Sequence, residues 1–193
     1  ERDNREKGLV LYLGKWVTKE EKGHREAGEY PVKLANGETK WVKDEAELKQ
    51  LGLIYYAKKG CWYTAEEYAL LRHDWDEAYE GETTHYEIHT NIGEAYLEKM
   101  KLLLEQAYAI YQVEFGFEPK AGRKMVFYLF NSREDYEAFC TKNTEKQYNT
   151  HLNAGGFADP NDWFCCGYAM EEDGDATVTE TAMHEGCHLF FGV

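Results

Sequence analysis

The stretch "TAMHEGCHLFFGV", residues 181–193, decides how the rest of the chain is read. On a helix, positions four apart lie one turn apart on the same face, so His184 and His188 direct both imidazoles at one point. Glu185 stands beside them, close to where an attacking water would sit. This is the donor set and base of metal-assisted hydrolysis. Zn2+ polarises a scissile carbonyl and acidifies the attacking water towards a pKa of about 7. Glu185 takes the proton and passes it to the leaving amine. The flanks support a helix, because Val178, Ala182 and Met183 precede the motif and Leu189 and Phe190 follow it at helical spacing. Thr177 with Glu180 is expected to cap its start. Gly186 costs a helix interior about 1 kcal/mol relative to alanine, which points to a close packing partner that the sequence does not name.

Upstream, "WFCCGYA" (163–169) reads as a strand, and residues 141–162 as a polar loop ending in the turn signal "GGFADPND". "KMVFYLF" (124–130) is a near-continuous apolar run, as in a central strand. Ser132 with Asp135 starts the short helix "REDYEAFC". Asn91 with Glu94 is expected to open a long helix whose apolar positions are Ile92, Tyr96, Leu103, Ala107 and Ile110, with Gly116 terminating it. "THYEIHT" (84–90) alternates, placing Tyr86 and Ile88 on one face and His85, Glu87 and His89 on the other. The resulting order is strand, helix, strand, helix, loop, strand, helix. That is an α+β domain with a mixed sheet over residues 81–193.

Residues 1–80 follow a different pattern, a weak internal repeat: "GKWVTKEE" (14–21), "TKWVKDEAEL" (39–48) and "GCWYTAEEYALL" (60–71). Each sets a Trp (Trp16, Trp41, Trp62) ahead of a capping pair: Thr18 with Glu21, Asp44 with Glu47, Thr64 with Glu67. The short runs "LVLYL" and "LIYYA" supply strands. These features predict a β-rich module of three strand–Trp–short-helix units stacking their indoles into one small core. Such a module suits an interaction or spacer role, with a protein partner docking through the Trp repeats.

Composition excludes several functions. A net charge of −14 leaves no general affinity for nucleic acid or anionic membranes. No apolar run approaches the roughly 18 residues of a membrane span. The five cysteines, Cys61, Cys140, Cys165, Cys166 and Cys187, form no regular framework, and adjacent Cys165 and Cys166 point to opposite faces of a strand.

From residue 84 onward the chain resembles the bacterial peptidase MA-like (gluzincin) domain family. The resemblance is carried by "HYEIHTNIGEAYLEKMKLLLEQAYAIYQVEFGF", "KMVFYLFNSREDYEAF", "GGFADP" and "ETAMHEGCHLFF". The Trp-Val-Thr-x-Glu-Glu units resemble segments that precede such domains in large secreted or envelope-associated bacterial proteins. The resemblance implies a zincin-like fold, similar to the N-terminal part of thermolysin. It also implies Zn2+ held by His184 and His188, Glu185 as general base, peptide or protein substrates, and an extracellular or envelope location. Zincins keep a strand just upstream of the metal helix that pairs with extended substrate. The gluzincin third ligand is a Glu on a helix well downstream of the second His. No position in this sequence matches it, and the apolar "LFFGV" is expected to continue into a C-terminal part that carries that ligand.

Other residues offer metal-binding chemistry less well. Cys187 follows His184 by three and could supply a thiolate. His85, Glu87 and His89 share a strand face. His151, Asp159 and Asp162 fall in one loop. The acidic run Glu171, Glu172, Asp173 and Asp175 lacks EF-hand spacing. A non-catalytic scaffold that reuses the fold is the alternative to a peptidase.

Overall fold

Short apolar runs broken by glycine turns fold in the N-terminal third as hairpins, each followed by a helix. The computed structural model describes residues 7–116, 119, 123–142, 148–170 and 172–192. The chain divides into two compact units, Glu1–Tyr68 and Ala69–Val193.

In the first unit β1 (Val10–Tyr12) pairs with β2 (Lys15–Val17), β3 (Tyr30–Lys33) with β4 (Thr39–Val42), and β5 (Ile54–Tyr56) with β6 (Cys61–Tyr63). The helices α1 (Lys19–Glu26), α2 (Glu45–Gln50) and α3 (Ala65–Arg72) follow them in turn, the unit boundary falling within α3. Leu13 and Gly14 turn the first hairpin at φ 47° and 80°, which matches the twist of the paired strands. The repeat is visible in the register, with Trp16 opposite Leu11, Trp41 opposite Pro31 and Trp62 opposite Tyr55. All three capping residues act as expected. Glu21 N donates to Thr18 Oγ1 at 3.0 Å and Glu47 N to Asp44 Oδ1 at 3.1 Å. Around α3 the bonds are reciprocal, Thr64 N to Glu67 Oε2 at 2.9 Å and Glu67 N to Thr64 Oγ1 at 3.2 Å.

The expected pooling of indoles does not occur. Only Trp62 is buried, in a core with Leu34, Val42, Leu48 and Leu53. Trp41 lies flat on His24 of α1, centroids 4.7 Å apart, and Ala35 N donates to the Trp62 carbonyl at 2.9 Å. Three separate two-stranded sheets do not share one centre, and Trp41 and Trp62 each meet the preceding repeat instead.

The second unit is a five-stranded mixed sheet in the order β10-β11-β9-β8-β7. Its strands are β7 (Tyr79–Glu82), β8 (Tyr86–Thr90), β9 (Met125–Phe130), β10 (Gly156–Asp159) and β11 (Phe164–Tyr168). The inner strands β8, β9 and β11 are parallel, whereas β7 and β10 run antiparallel at the edges. β9 is the central strand its apolar run predicts. Its residues alternate between two cores. Phe127 faces α4 (Glu94–Phe115) and α6 (Ala176–Phe191), with Tyr86 at 5.4 Å and Gly186 against its ring. Phe130 packs with Tyr136 and Cys140 of α5 (Arg133–Lys142) and with Phe164, Cys166 and Tyr168 of β11. Cys165 and Cys166 therefore enter different cores.

Four expectations need correction. Residues 141–162 are not wholly loop, because Tyr148–His151 form a 3-10 turn and Gly156–Asp159 the edge strand β10; paired glycines and a proline hid a strand with only one buried apolar residue. The buried side of α4 is Tyr96, Leu97, Met100, Leu104, Ala107 and Tyr108, while Ile110 is 58% exposed. Gly93, not Asn91, precedes α4, and Asn91 is fully buried. Its amide donates to His73 O at 2.7 Å and Asp135 Oδ2 at 2.9 Å, and accepts from Asn131 N at 2.8 Å. Finally, α6 begins at Ala176, so Thr177 lies inside it and donates to Asp173 Oδ2 at 3.1 Å rather than capping. Gly116 ends α4 in the left-handed conformation, as predicted. Among the described residues no helix is long and apolar enough to cross a membrane.

Candidate metal centre

α6 positions the motif. Val178, Ala182, Leu189 and Phe190 are buried, which turns the opposite ridge, Glu180, His184 and His188, to solvent. Phe190 packs edge-on against Tyr108 and Tyr111 of α4, centroids 5.4 and 5.3 Å away. The role of Gly186 is now explicit: a Cβ there would sit 3.0 Å from Phe127 Cζ, so glycine lets the helix lie directly on the central strand. One turn earlier Thr181 closes over Gly156 of β10 and Gly167 of β11. A Cβ on Gly156 would meet Thr181 Cγ2 at 2.5 Å and overlap the Cys166 carbonyl. The helix is thus seated on the sheet at three glycines.

The exposed ridge carries the donors. The imidazoles of His184 and His188 stand with centroids 5.0 Å apart and planes at 81°. Glu185 is half-buried beside them, and its charge adds to full burial in pushing the Cys165 thiol well above its ordinary range. An open groove of about 400 Å3 runs between α6 and the glycines at the start of β10. It is lined by Gly155, Gly156, Glu180, Thr181, His184 and Glu185. His184 and Glu185 share this groove, and His188 stands one turn along the same ridge. Two imidazoles with an adjacent carboxylate fit two protein corners of a tetrahedral zinc site plus its base. Among the described residues no three His, Cys, Asp or Glu side chains converge on one point.

The other donor groups are engaged elsewhere. Tyr111 of α4 is raised from its ordinary range by burial first, then by the charge and hydrogen bonding of Cys187, so that thiol lies on the α4 side of the helix. His85 Nδ1 sits 2.7 Å from Glu105 Oε2, its ring stacked on Tyr108, and His89 Nε2 sits 2.7 Å from Glu87 Oε1. His151 stacks on Phe157, while Asp159 and Asp162 both meet the Tyr148 hydroxyl, at 2.9 and 2.7 Å. In the acidic run, Asp175 pairs with Lys99 at 3.0 Å, and Glu171 lies outside the described residues.

Helical spacing in the sequence places His184, Glu185 and His188 together on α6, as the structure has them, but does not reveal the groove. Gly155, Gly156, Thr181 and Glu180 belong to it, and the only signal was a double glycine read as a turn. Comparison with known families, curated proteins and solved structures returns no match.

Proposed function

We propose that the second unit is the metal-bearing part of a zinc-dependent peptidase of the gluzincin, MA-like type. In this reading His184 and His188 hold Zn2+, and Glu185 is the general base. The observation that carries it is the shared groove: His184 and Glu185 face the same open channel as the backbone around β10. Zinc, when bound, supplies the Lewis acid that polarises a peptide carbonyl. Glu185 accepts the proton of the attacking water and returns it to the leaving amine. β10 is an edge strand with no further strand paired to its outer side among the described residues, and an extended peptide pairing there through its main chain would be bound with little side-chain selectivity. The third protein ligand would come from outside the described residues.

The test is metal content together with one conservative variant. The full-length protein should carry one equivalent of zinc and digest an unfolded protein substrate, and Glu185→Gln should keep the zinc while losing about 100-fold or more in rate. Folded protein that binds no zinc would overturn the proposal. A second reading, a non-catalytic scaffold, draws on the first unit, where Leu13 and Tyr55 stand exposed on separate hairpins as an interaction module requires. Zinc without proteolysis in the full-length protein would favour it.

A further inference from the structure

The first unit shows twice how one of its hairpins is covered. Helices α1 and α2 are both closed by a left-handed glycine, Gly28 at φ 80° and Gly52 at φ 75°. The closing bonds are the same. Gly28 N donates to Arg25 O and Glu29 N to His24 O, as Gly52 N does to Lys49 O and Leu53 N to Leu48 O. His24 and Leu48 therefore hold equivalent places ahead of their glycines. Each faces the indole of the hairpin that follows: His24 lies flat on Trp41, and Leu48 is packed in one core with Trp62.

The first hairpin has the same entry. Gly8, at φ 76°, stands two residues ahead of β1, as Gly28 and Gly52 stand two ahead of β3 and β5. The sequence Arg5-Glu6-Lys7-Gly8 differs from Arg25-Glu26-Ala27-Gly28 only in its third residue. The indole face of this hairpin is open. Among the described residues no ring stacks on Trp16, Leu11 opposite it is 56% exposed, and Leu13 in the turn is 88% exposed. An end repeat of a stacked array carries a polar outer face. This outer face is apolar, which is the character of an inner one.

We propose that Leu11, Leu13 and Trp16 form the docking face for one further hairpin–helix unit of the same chain, joined to β1 through Gly8, which covers Trp16 as α1 covers Trp41. The occupant is a unit of the same chain because in both observed pairs the covering unit is the one joined through the glycine. The Trp repeats are then a stacked array, whatever chemistry the second unit performs.

The test uses full-length protein labelled with 5-fluorotryptophan. Fluorine NMR gives one resonance for each indole, assigned by Trp→Phe variants, and the solvent isotope shift between H2O and D2O reads its exposure. Trp16 should show a shift as small as that of buried Trp62. Gly8→Val forces a β-branched residue into the left-handed region and should raise the Trp16 shift to that of an exposed indole while leaving Trp62 unchanged. Gly8→Asn, a residue that tolerates this conformation, should keep Trp16 covered. The proposal is overturned if Trp16 is exposed in the full-length protein, or if its cover survives Gly8→Val. Cover that is lost on dilution overturns it as well, and assigns the face to a second copy.

Discussion

At Gly186 the histidine helix lies directly on the sheet, against the ring of the fully buried Phe127. Two effects compete when a side chain is added. Alanine regains about 1 kcal/mol of helix propensity, against a contact of 3.0 Å that needs a shift of a few tenths of an ångström. Gly186→Ala is therefore expected to be near neutral. Gly186→Val has no such balance and should lower the unfolding free energy by about 2 kcal/mol, read from urea melts. A neutral valine variant would mean that α6 does not rest on Phe127. The same residue shows how far sequence reading reaches. The propensity cost of a mid-helix glycine announced a close approach, but its partner lies in a strand nearly sixty positions earlier, and no local pattern encodes that. His184, Glu185 and His188 were legible because helical spacing alone puts them together. Asn91 misled for the opposite reason: its residue type suits a helix start, yet its amide joins His73, Asp135 and Asn131 across three segments.

Among the elements, the adjacent glycines 155 and 156 make opposite demands. A methyl on Gly156 would press on the Cys166 carbonyl, which is backbone and cannot yield without breaking the β10–β11 register. Gly156→Ala should cost about 3 kcal/mol, whereas Gly155→Ala should stay within about 0.5 kcal/mol. Thermal or urea unfolding of the two variants side by side checks this, and equal effects would contradict the packing of Thr181 over the hairpin. Strand β10 was hidden in the sequence because an edge strand with one buried side chain shows no alternation to read. The inner strands β9 and β11 announced themselves through apolar runs, and the reciprocal cap at Thr64 through its local spacing. Thr177 and Glu180 have the same spacing but fall inside α6, since the turn at Asp175 starts the helix earlier.

At the scale of the molecule, stability depends on pH through groups the fold keeps neutral. Full burial pushes the thiols of Cys165 and Cys166 well above their ordinary range, helped by Glu185 at Cys165 and by Cys165 and Cys140 at Cys166. In the unfolded chain these thiols ionise near pH 8.5. Above that point the unfolded state releases protons that the folded state retains. The stabilisation is therefore complete below about pH 8.5 and declines as the pH rises, by roughly 1 kcal/mol per thiol between pH 8.5 and 9.5. Urea midpoints at pH 7.5, 8.5 and 9.5 should fall accordingly, and a variant with both cysteines replaced by alanine should show a flatter profile. An unchanged midpoint in the parent protein would contradict their burial. The α+β class and the change of pattern between the Trp repeats and the sheet were readable from residue types and periodicity. The packing of two cores on one sheet was not, because it depends on which face each helix covers.

The dipeptide Cys165–Cys166 has a consequence for watching the protein move. One sulfur points into the layer under α4 and α6, and the next into the layer under α5. A thiol reagent reaches either sulfur only when its layer opens. The two modification rates at neighbouring residues thus report separately on the breathing of the two sides of one strand. The histidine-bearing side and the opposite side can be timed within a single peptide fragment, without introducing any label.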